Sequence, residues 1–228
     1  MNPKALLSGV PTTTRTIPKI YYINLDHRED RRREFTAEMD KLRDYLGEEL
    51  MPEVVRVPAI KHQVGAIGCG MSHCKALELF LATNDETAIV MEDDYQFYDK
   101  MLVLLKEYLA GSKIPEDGDV LLLAANLRQQ QPWRREFIRV HRSFTTSGYW
   151  LNRQIADGLL RLWECSTTLH AISVRQPEPR YCIDVAWWEL MHPDSPFRFL
   201  AMTPLMGQIG HQRPGYSDIE RREVNYMV

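Results

Sequence analysis

Ala88-Ile89-Val90-Met91-Glu92-Asp93-Asp94 runs four apolar residues straight into three acids. A short unbroken apolar run reads as a strand buried on both faces. Acids at its end put charge at the carboxyl edge of a sheet, where open α/β folds bind their ligands. Upstream, Lys19–Asn24 (KIYYIN) is another β-prone run, ended by Asn24-Leu25-Asp26. Arg28–Leu46 carries Phe35, Met39, Leu42 and Leu46 at helical spacing. Val54–Val57 is a short strand stopped by Pro58. The glycine-rich Gly65–Gly70 reads as a loop leading into Ser72, a natural N-cap for a helix to about Thr83. Downstream, a helix near 99–110 shows Leu102, Leu105 and Leu109 on one face, and Val120–Ala125 is a further apolar strand. Strands alternating with helices in this way predict an α/β sheet with helices packed on it.

Beyond residue 125 the alternation loosens. Phe137–Arg142 and Ser147–Leu151 read as strands, and Gln154–Cys165 as a helix through Ile155, Leu159 and Leu162. Gln129–Pro132 and Gln176–Pro179 read as loops, and residues 1–18, rich in Thr, Pro and Ser, as an irregular arm. No repeat or low-complexity tract divides the chain. One domain is expected over 19–228, with a nucleotide-binding half at 19–125 and a more irregular half at 126–228.

Composition excludes several classes. The 228 residues are 44% hydrophobic and 26% charged, ordinary globular usage that rules out a disordered chain, a collagen-like fibre and a coiled coil. Lys and Arg total 28 against 31 Asp and Glu, a net charge of −3 that argues against bulk nucleic-acid binding. Cys69, Cys74, Cys165 and Cys182 form no CxxC pair and suit a reducing compartment. The N-terminal apolar run, Ala5–Leu7, is too short for a signal-peptide core, and no stretch approaches the ~20 apolar residues of a membrane span. A cytoplasmic protein is expected, with attachment to a membrane surface left open.

Three local patterns point to chemistry. On an extended segment Glu92 and Asp94 would share a face while Asp93 points elsewhere. Two hard oxygen ligands facing one way suit Mg²⁺ or Mn²⁺ bridging to a diphosphate; the other reading is a solvated acidic turn. Gly65–His73 could bring backbone N–H groups to an anion, with Ser72, His73 and Lys75 as further donors, or could be a tight turn and no more. Asn24-Leu25-Asp26, followed by Arg28, Arg31, Arg32 and Arg33, occupies the loop after a first strand, a usual place to hold a nucleotide. Most of those arginines are expected to pair with Glu29, Asp30 and Glu34 in solvent, one at most facing the site. His27, His62, His141, His170 and His192 show no mutual ligand spacing; His211 lies in a polar loop. Of Trp187 and Trp188, one is expected in the core and the other is free to stack on a sugar ring.

In order along the chain these pieces resemble glycosyltransferase family 25, which includes bacterial lipooligosaccharide galactosyltransferases and collagen galactosyltransferase domains. The resemblance rests on Tyr22–Asp26 with Arg28, Arg31 and Arg32, Gly68–His73, Val90–Asp94, Ser147–Tyr149, Asp184, Gln208 and Ser217-Asp218-Ile219. It implies a GT-A fold, a single Rossmann-like domain with a mixed central sheet. It also implies a UDP-linked donor, Mn²⁺ or Mg²⁺, and inversion at the anomeric carbon. Glu92, Asp94 and His211 would then hold the metal. Asn24, Leu25, Arg31, Ser72, His73, Lys75 and Asp93 would line the donor site. Asp184 would be the base, its other reading being a helix N-cap. Two departures stand out: Cys69-Gly70-Met71-Ser72 is longer than the family's Cys-x-Ser spacing, and the long basic tail of bacterial members is missing. The expected function is hexose transfer, galactose or glucose, to a glycan or protein-linked hydroxyl. Its rivals are a non-catalytic nucleotide-sugar or glycan-binding module and a metal-dependent phosphohydrolase.

Overall fold

The computed structural model describes residues 17–111, 113–173, 179–204, 206–217 and 222–224, with only the backbone at 215–217 and 222–224. The chain opens with β1 (Lys19–Asn24), α1 (Glu29–Leu46), β2 (Val54–Pro58), α2 (Gly65–Leu81) and β3 (Thr87–Glu92). A short strand β4 (Tyr95–Phe97), helix α3 (Leu102–Gly111) and strand β5 (Val120–Leu122) follow. Next come β6 (Asn126–Pro132), β7 (Phe137–Phe144), β8 (Gly148–Asn152) and α4 (Arg153–Ile172). Two single-turn helices, α5 (Ile183–Ala186) and α6 (Trp188–Met191), precede β9 (Phe199–Met202), β10 (Gly210–Gln212), β11 (Gly215–Ser217) and β12 (Arg222–Val224).

Eight strands form one sheet in the order β2-β1-β3-β8-β5-β9-β7-β6. β1 is parallel to both β2 and β3, whereas β8 runs antiparallel between β3 and β5. The sheet is mixed, as expected. The alternation of side chains along the inner strands builds two cores. Tyr21, Ile23, Ala88, Val90, Tyr149 and Leu151 face Leu77, Phe80, Leu159 and Trp163 of α2 and α4. Ile20, Tyr22, Ile89, Met91 and Trp150 face Phe35, Met39, Leu42, Leu102 and Leu105 of α1 and α3. Burial on both faces is why these strands read as unbroken apolar runs.

Two expectations are corrected. Gly65–Gly70 is not a loop: it forms the first turns of α2, and Ser72 sits inside the helix with its hydroxyl donating to the Gly68 carbonyl at 2.6 Å. The glycines serve close approach instead. A Cβ on Gly68 would lie 2.5 Å from the Ile60 carbonyl oxygen, and one on Gly70 would collide with Thr167 of α4. Gln129–Pro132 is not a loop either, but most of the edge strand β6, which is exposed from Arg128 onward. These polar residues need no apolar alternation because this part of the strand is open to solvent, and Pro132 closes the strand where its missing N–H costs no ladder bond. The arm before residue 17 and residues 176–178 of the other expected loop lie outside the described residues.

One cationic side chain locks the two helices of the first core. Arg153, first residue of α4, donates to the carbonyls of Phe80 (3.2 Å), Leu81 (3.2 Å), Thr83 (2.6 Å) and Asp85 (2.9 Å) at the end of α2. The Leu81 carbonyl is one that the end of α2 leaves without an intrahelical partner, those of Thr83 and Asp85 lie just beyond the helix, and α2 has no basic residue in its last turn. Arg153→Ala is expected to cost about 2–3 kcal/mol, read by urea unfolding. Arg153→Lys should recover only part of this, since an ammonium cannot reach four acceptors from a planar fork.

Candidate active site

The chain steps from β1 to β2 on one side, then crosses to β3 on the other, and this reversal opens a crevice at the carboxyl ends of β1 and β3. Register brings Asn24, Pro58 and Glu92 level there, since Asn24 pairs with Pro58 and Ile23 with Glu92. A cavity of about 260 Å³ occupies the crevice, lined among others by Leu25, Arg31, Ser72, Glu92, Asp93 and Asp94.

The three acids are held differently from an extended strand. β3 ends at Glu92, and Asp93 and Asp94 form a turn, so both of these point at Arg31 instead of alternating. Arg31 Nη1 donates to Asp93 Oδ1 and to Asp94 Oδ2, each at 3.0 Å. Asn24, only 1% exposed, donates to Asp93 Oδ2 at 2.7 Å and accepts from Arg56 and Arg32. Glu92 lies apart, accepting from Thr146 Oγ1 at 3.2 Å with His73 Nε2 at 3.4 Å. His73 is fixed in turn by Tyr149, whose hydroxyl lies 3.0 Å from Nδ1.

Charge is crowded here. Burial and the neighbouring Glu92 push Asp94 up to about 7, and burial raises Asp93. Burial also works against the Glu92 carboxylate, but His73 and Thr146 together hold it below the usual range. Asp94 Oδ1 is buried and makes no hydrogen bond. On the inner wall, Cys69 Sγ, a His73 ring nitrogen and a Glu92 oxygen lie within 4.8 Å of one another.

A second cavity, about 230 Å³, adjoins the first and shares Cys69, Glu92 and Gln212 with it. Its own lining includes Asn126, Phe144, Thr145, Thr146 and Asp184. Asp184 is the second residue of α5, whose N-cap position is Cys182, so Asp184 is not an N-cap. Burial raises the Asp184 carboxyl, opposed by a bond from the Thr145 backbone N–H.

Other expected residues land elsewhere. Lys75 lines neither cavity; its ammonium donates to the Pro58 carbonyl at 3.0 Å. Ser72 reaches the first cavity, yet its oxygen is spent on the Gly68 carbonyl and the Ile60 N–H. His211 is turned away from the acids: it pairs with Gln96 across β4, stacks on Tyr98 at 4.6 Å and lines neither cavity. Neighbours on a strand face opposite ways. Gln212 therefore faces the site, donating to Asp94 Oδ2 at 3.2 Å. Trp187 is fully buried and Trp188 half-buried, both indoles donating to the Ser143 carbonyl, and neither lines a cavity. Asp218 and Ile219 lie outside the described residues.

Sequence reasoning missed His27, Lys61, His62, Thr146 and Gln212, all of which line the cavities. For Lys61 and His62 a signal existed, since they follow a strand parallel to β1 and so emerge at the same edge. Gly68 supports this segment. Gly68→Ala gains about 1 kcal/mol of helix propensity but must displace the Ile60 backbone, at a cost of about 1–3 kcal/mol. Slightly lower stability and weaker donor binding are expected, measured by thermal unfolding and calorimetry.

The model of glycosyltransferase family 25 (LPS biosynthesis protein) matches residues 48–172, more than half of the chain. The chain belongs to glycosyltransferase family 25. The matched segment carries α2, the three acids, Thr146 and Tyr149. Among solved structures, a glycosyltransferase involved in glycosylation of the major capsid of PBCV-1 superposes with a TM-score of 0.52 at 12% identity, covering 90% of this chain and 97% of that one. That likeness is one of fold, and it agrees with the expected GT-A architecture. A UDP-glucose pyrophosphorylase complexed with UDP-glucose is similar at a TM-score of 0.46 and 11% identity, over 82% of this chain and 90% of that one. No curated protein matches the chain. Among the described residues of this family 25 glycosyltransferase, no helix is long and apolar enough to cross a membrane.

Proposed function

We propose that this enzyme transfers a hexose, galactose or glucose, from a UDP-linked donor to a hydroxyl of a glycan or protein-linked acceptor, with inversion and with a divalent cation. The observation that carries this reading is the pair of cavities sharing a wall at Cys69, Glu92 and Gln212, with Asp93 and Asp94 on one side and Asp184 on the other. Donor and acceptor would meet across that wall, and the entropy of bringing them together is met by binding.

The residues fit a cation. Asp94 Oδ1 is a buried carboxylate oxygen without a partner, and Asp93 and Asp94 share the single guanidinium of Arg31. Carboxylate oxygens of Asp94 and Asp93 suit Mn²⁺ or Mg²⁺, while Glu92 groups with Cys69 and His73 beside them. Such an ion, when bound, supplies Lewis-acid neutralisation of the diphosphate leaving group. Arg31 keeps Asp93 and Asp94 oriented, Asn24, which lines neither cavity, braces Asp93 from behind, and Leu25 lines the cavity where the base and ribose would rest. Lys61, exposed in the lining of the first cavity, can meet phosphate oxygens, as can the Nε2 of His62, whose Nδ1 is held by the Val64 backbone. Asp184, in the second cavity, takes the proton from the attacking hydroxyl as the new bond forms.

Incubation with UDP-galactose and UDP-glucose, with and without Mn²⁺ and a glycan acceptor panel, tests the reading. UDP release that needs both cation and acceptor is expected. Binding without release would instead mark a sugar-binding module, and inorganic phosphate release a phosphohydrolase.

A further inference from the structure

Phe144, in the lining of the second cavity, fronts a basic, aromatic cluster that the transfer chemistry leaves unused. Phe144 lines the cavity, and Trp188 packs edge-on against it with ring centroids 5.0 Å apart. The guanidinium of Arg128 lies over Phe144 at 5.2 Å, and that of Arg142 over Trp188 at 5.4 Å. A bulge makes this arrangement. Leu127 pairs with Ser143 and Gln129 with Arg142, so Arg128 is an extra residue on β6, re-aimed toward Phe144.

Both arginines are exposed, and neither has an acidic partner among the described residues. Nearby arginines differ. Arg134 and Arg135 pair with Asp117 and Glu116, and Arg139 is occupied by the carbonyls of Pro193, Ser195 and Phe197. A guanidinium lying flat on a ring keeps its edge N–H groups free for the two oxygens of a carboxylate or phosphate. The cavity has the opposite sign inside, where Glu92 and Asp184 line it. A sugar bearing an anionic group would thereby be oriented, with its charge at the arginines beside Phe144 and a hydroxyl toward Asp184.

Resting on the acceptor-side reading of this cavity, we infer that Arg128 and Arg142 bind an anionic group, phosphate or carboxylate, carried by the acceptor sugar. Such a pair sets acceptor choice without touching the donor.

The test measures binding of methyl glucoside, methyl glucoside 6-phosphate and methyl glucuronide to the full chain by calorimetry or ligand-observed NMR, with and without UDP. One or both anionic sugars should bind about tenfold or more tighter than the neutral one at low salt. Arg128→Ala/Arg142→Ala should reduce that preference to within about twofold, with retained UDP binding showing that the fold is intact. Tightening by the phosphate alone or the glucuronide alone identifies which group the arginines take. Equal binding of neutral and anionic sugars, no binding of either anionic sugar, or a preference that survives the double substitution overturns the inference. Failure of the unsubstituted chain to bind UDP bears on the donor cavity instead, because the sugar preference is read without nucleotide.

Discussion

Asp184→Asn is expected to lower turnover by about 10²–10⁴-fold, the usual contribution of a positioned general base, with UDP-sugar affinity little changed. The substitution keeps the shape of the side chain and an oxygen able to accept the Thr145 N–H, so it removes the proton acceptor and little else. A purely structural aspartate would leave turnover near normal, and the capping role is already excluded because Cys182 occupies the cap. Stability supplies a control of known sign. Burial raises this carboxyl in the folded state, so the folded protein holds its proton more tightly than the unfolded chain. That contribution is full below the ordinary carboxylate pKa and is lost as pH rises through the raised value. At neutral pH the charged, buried carboxylate is therefore a burden, and Asp184→Asn should melt no lower than the unsubstituted enzyme. A large drop in melting temperature together with lost turnover would mean that the residue holds α5 in place. Normal turnover in a well-folded variant would remove Asp184 from the reaction.

The fold was legible because its strands are buried on both faces. Runs such as Lys19–Asn24 and Ala88–Met91 carry no alternation to confuse with a helix, and the helices between them present clear stripes. Misreadings arose where tertiary contacts overrule local preference. Glycines usually break helices, yet Gly68 and Gly70 lie within one because the Ile60 carbonyl and Thr167 leave no room for a Cβ. β6 was hidden because an exposed edge strand needs no apolar side chains. In the site, the acids and Arg31 could be foreseen from strand-end placement. The choice between His211 and Gln212 could not, since it depends on the register of β10 against β4, strands more than a hundred residues apart. A one-residue change in that register would exchange which side chain faces Asp94. Likewise, the expected alternation of Glu92, Asp93 and Asp94 failed because the strand ends at Glu92, two residues short of the extended segment that the alternation needs, and Asp93 and Asp94 form a turn.

Asp94→Ala is expected to remove cation-dependent UDP-sugar binding almost completely. Changes in the groups that merely support a metal ligand cost about 10–100-fold in affinity, so deleting a ligand should cost at least that much. Calorimetry with UDP, with and without Mn²⁺, reads the effect directly. The unsubstituted enzyme should show a large gain in UDP affinity on adding Mn²⁺, and the variant little or none. Folding should survive. Asp94 is crowded by Glu92 and Asp93 and has one oxygen without a partner, so its charge is destabilising unless a cation offsets it. Because Asp94 is raised to about 7 in the folded state, the stability linked to its proton is present at low pH and fades as pH rises from about 4 through 7. Asp94→Asn, which cannot ionise, should flatten that part of the pH profile and melt higher than the unsubstituted enzyme at pH 8 without cation. Added Mn²⁺ should reverse the order, stabilising the unsubstituted enzyme and not the variant. The crossing of the two curves separates a cation ligand from a carboxylate that only pairs with Arg31. In the latter case removing Asp94 would leave Mn²⁺-dependent UDP affinity intact and the melting order unaffected by the ion.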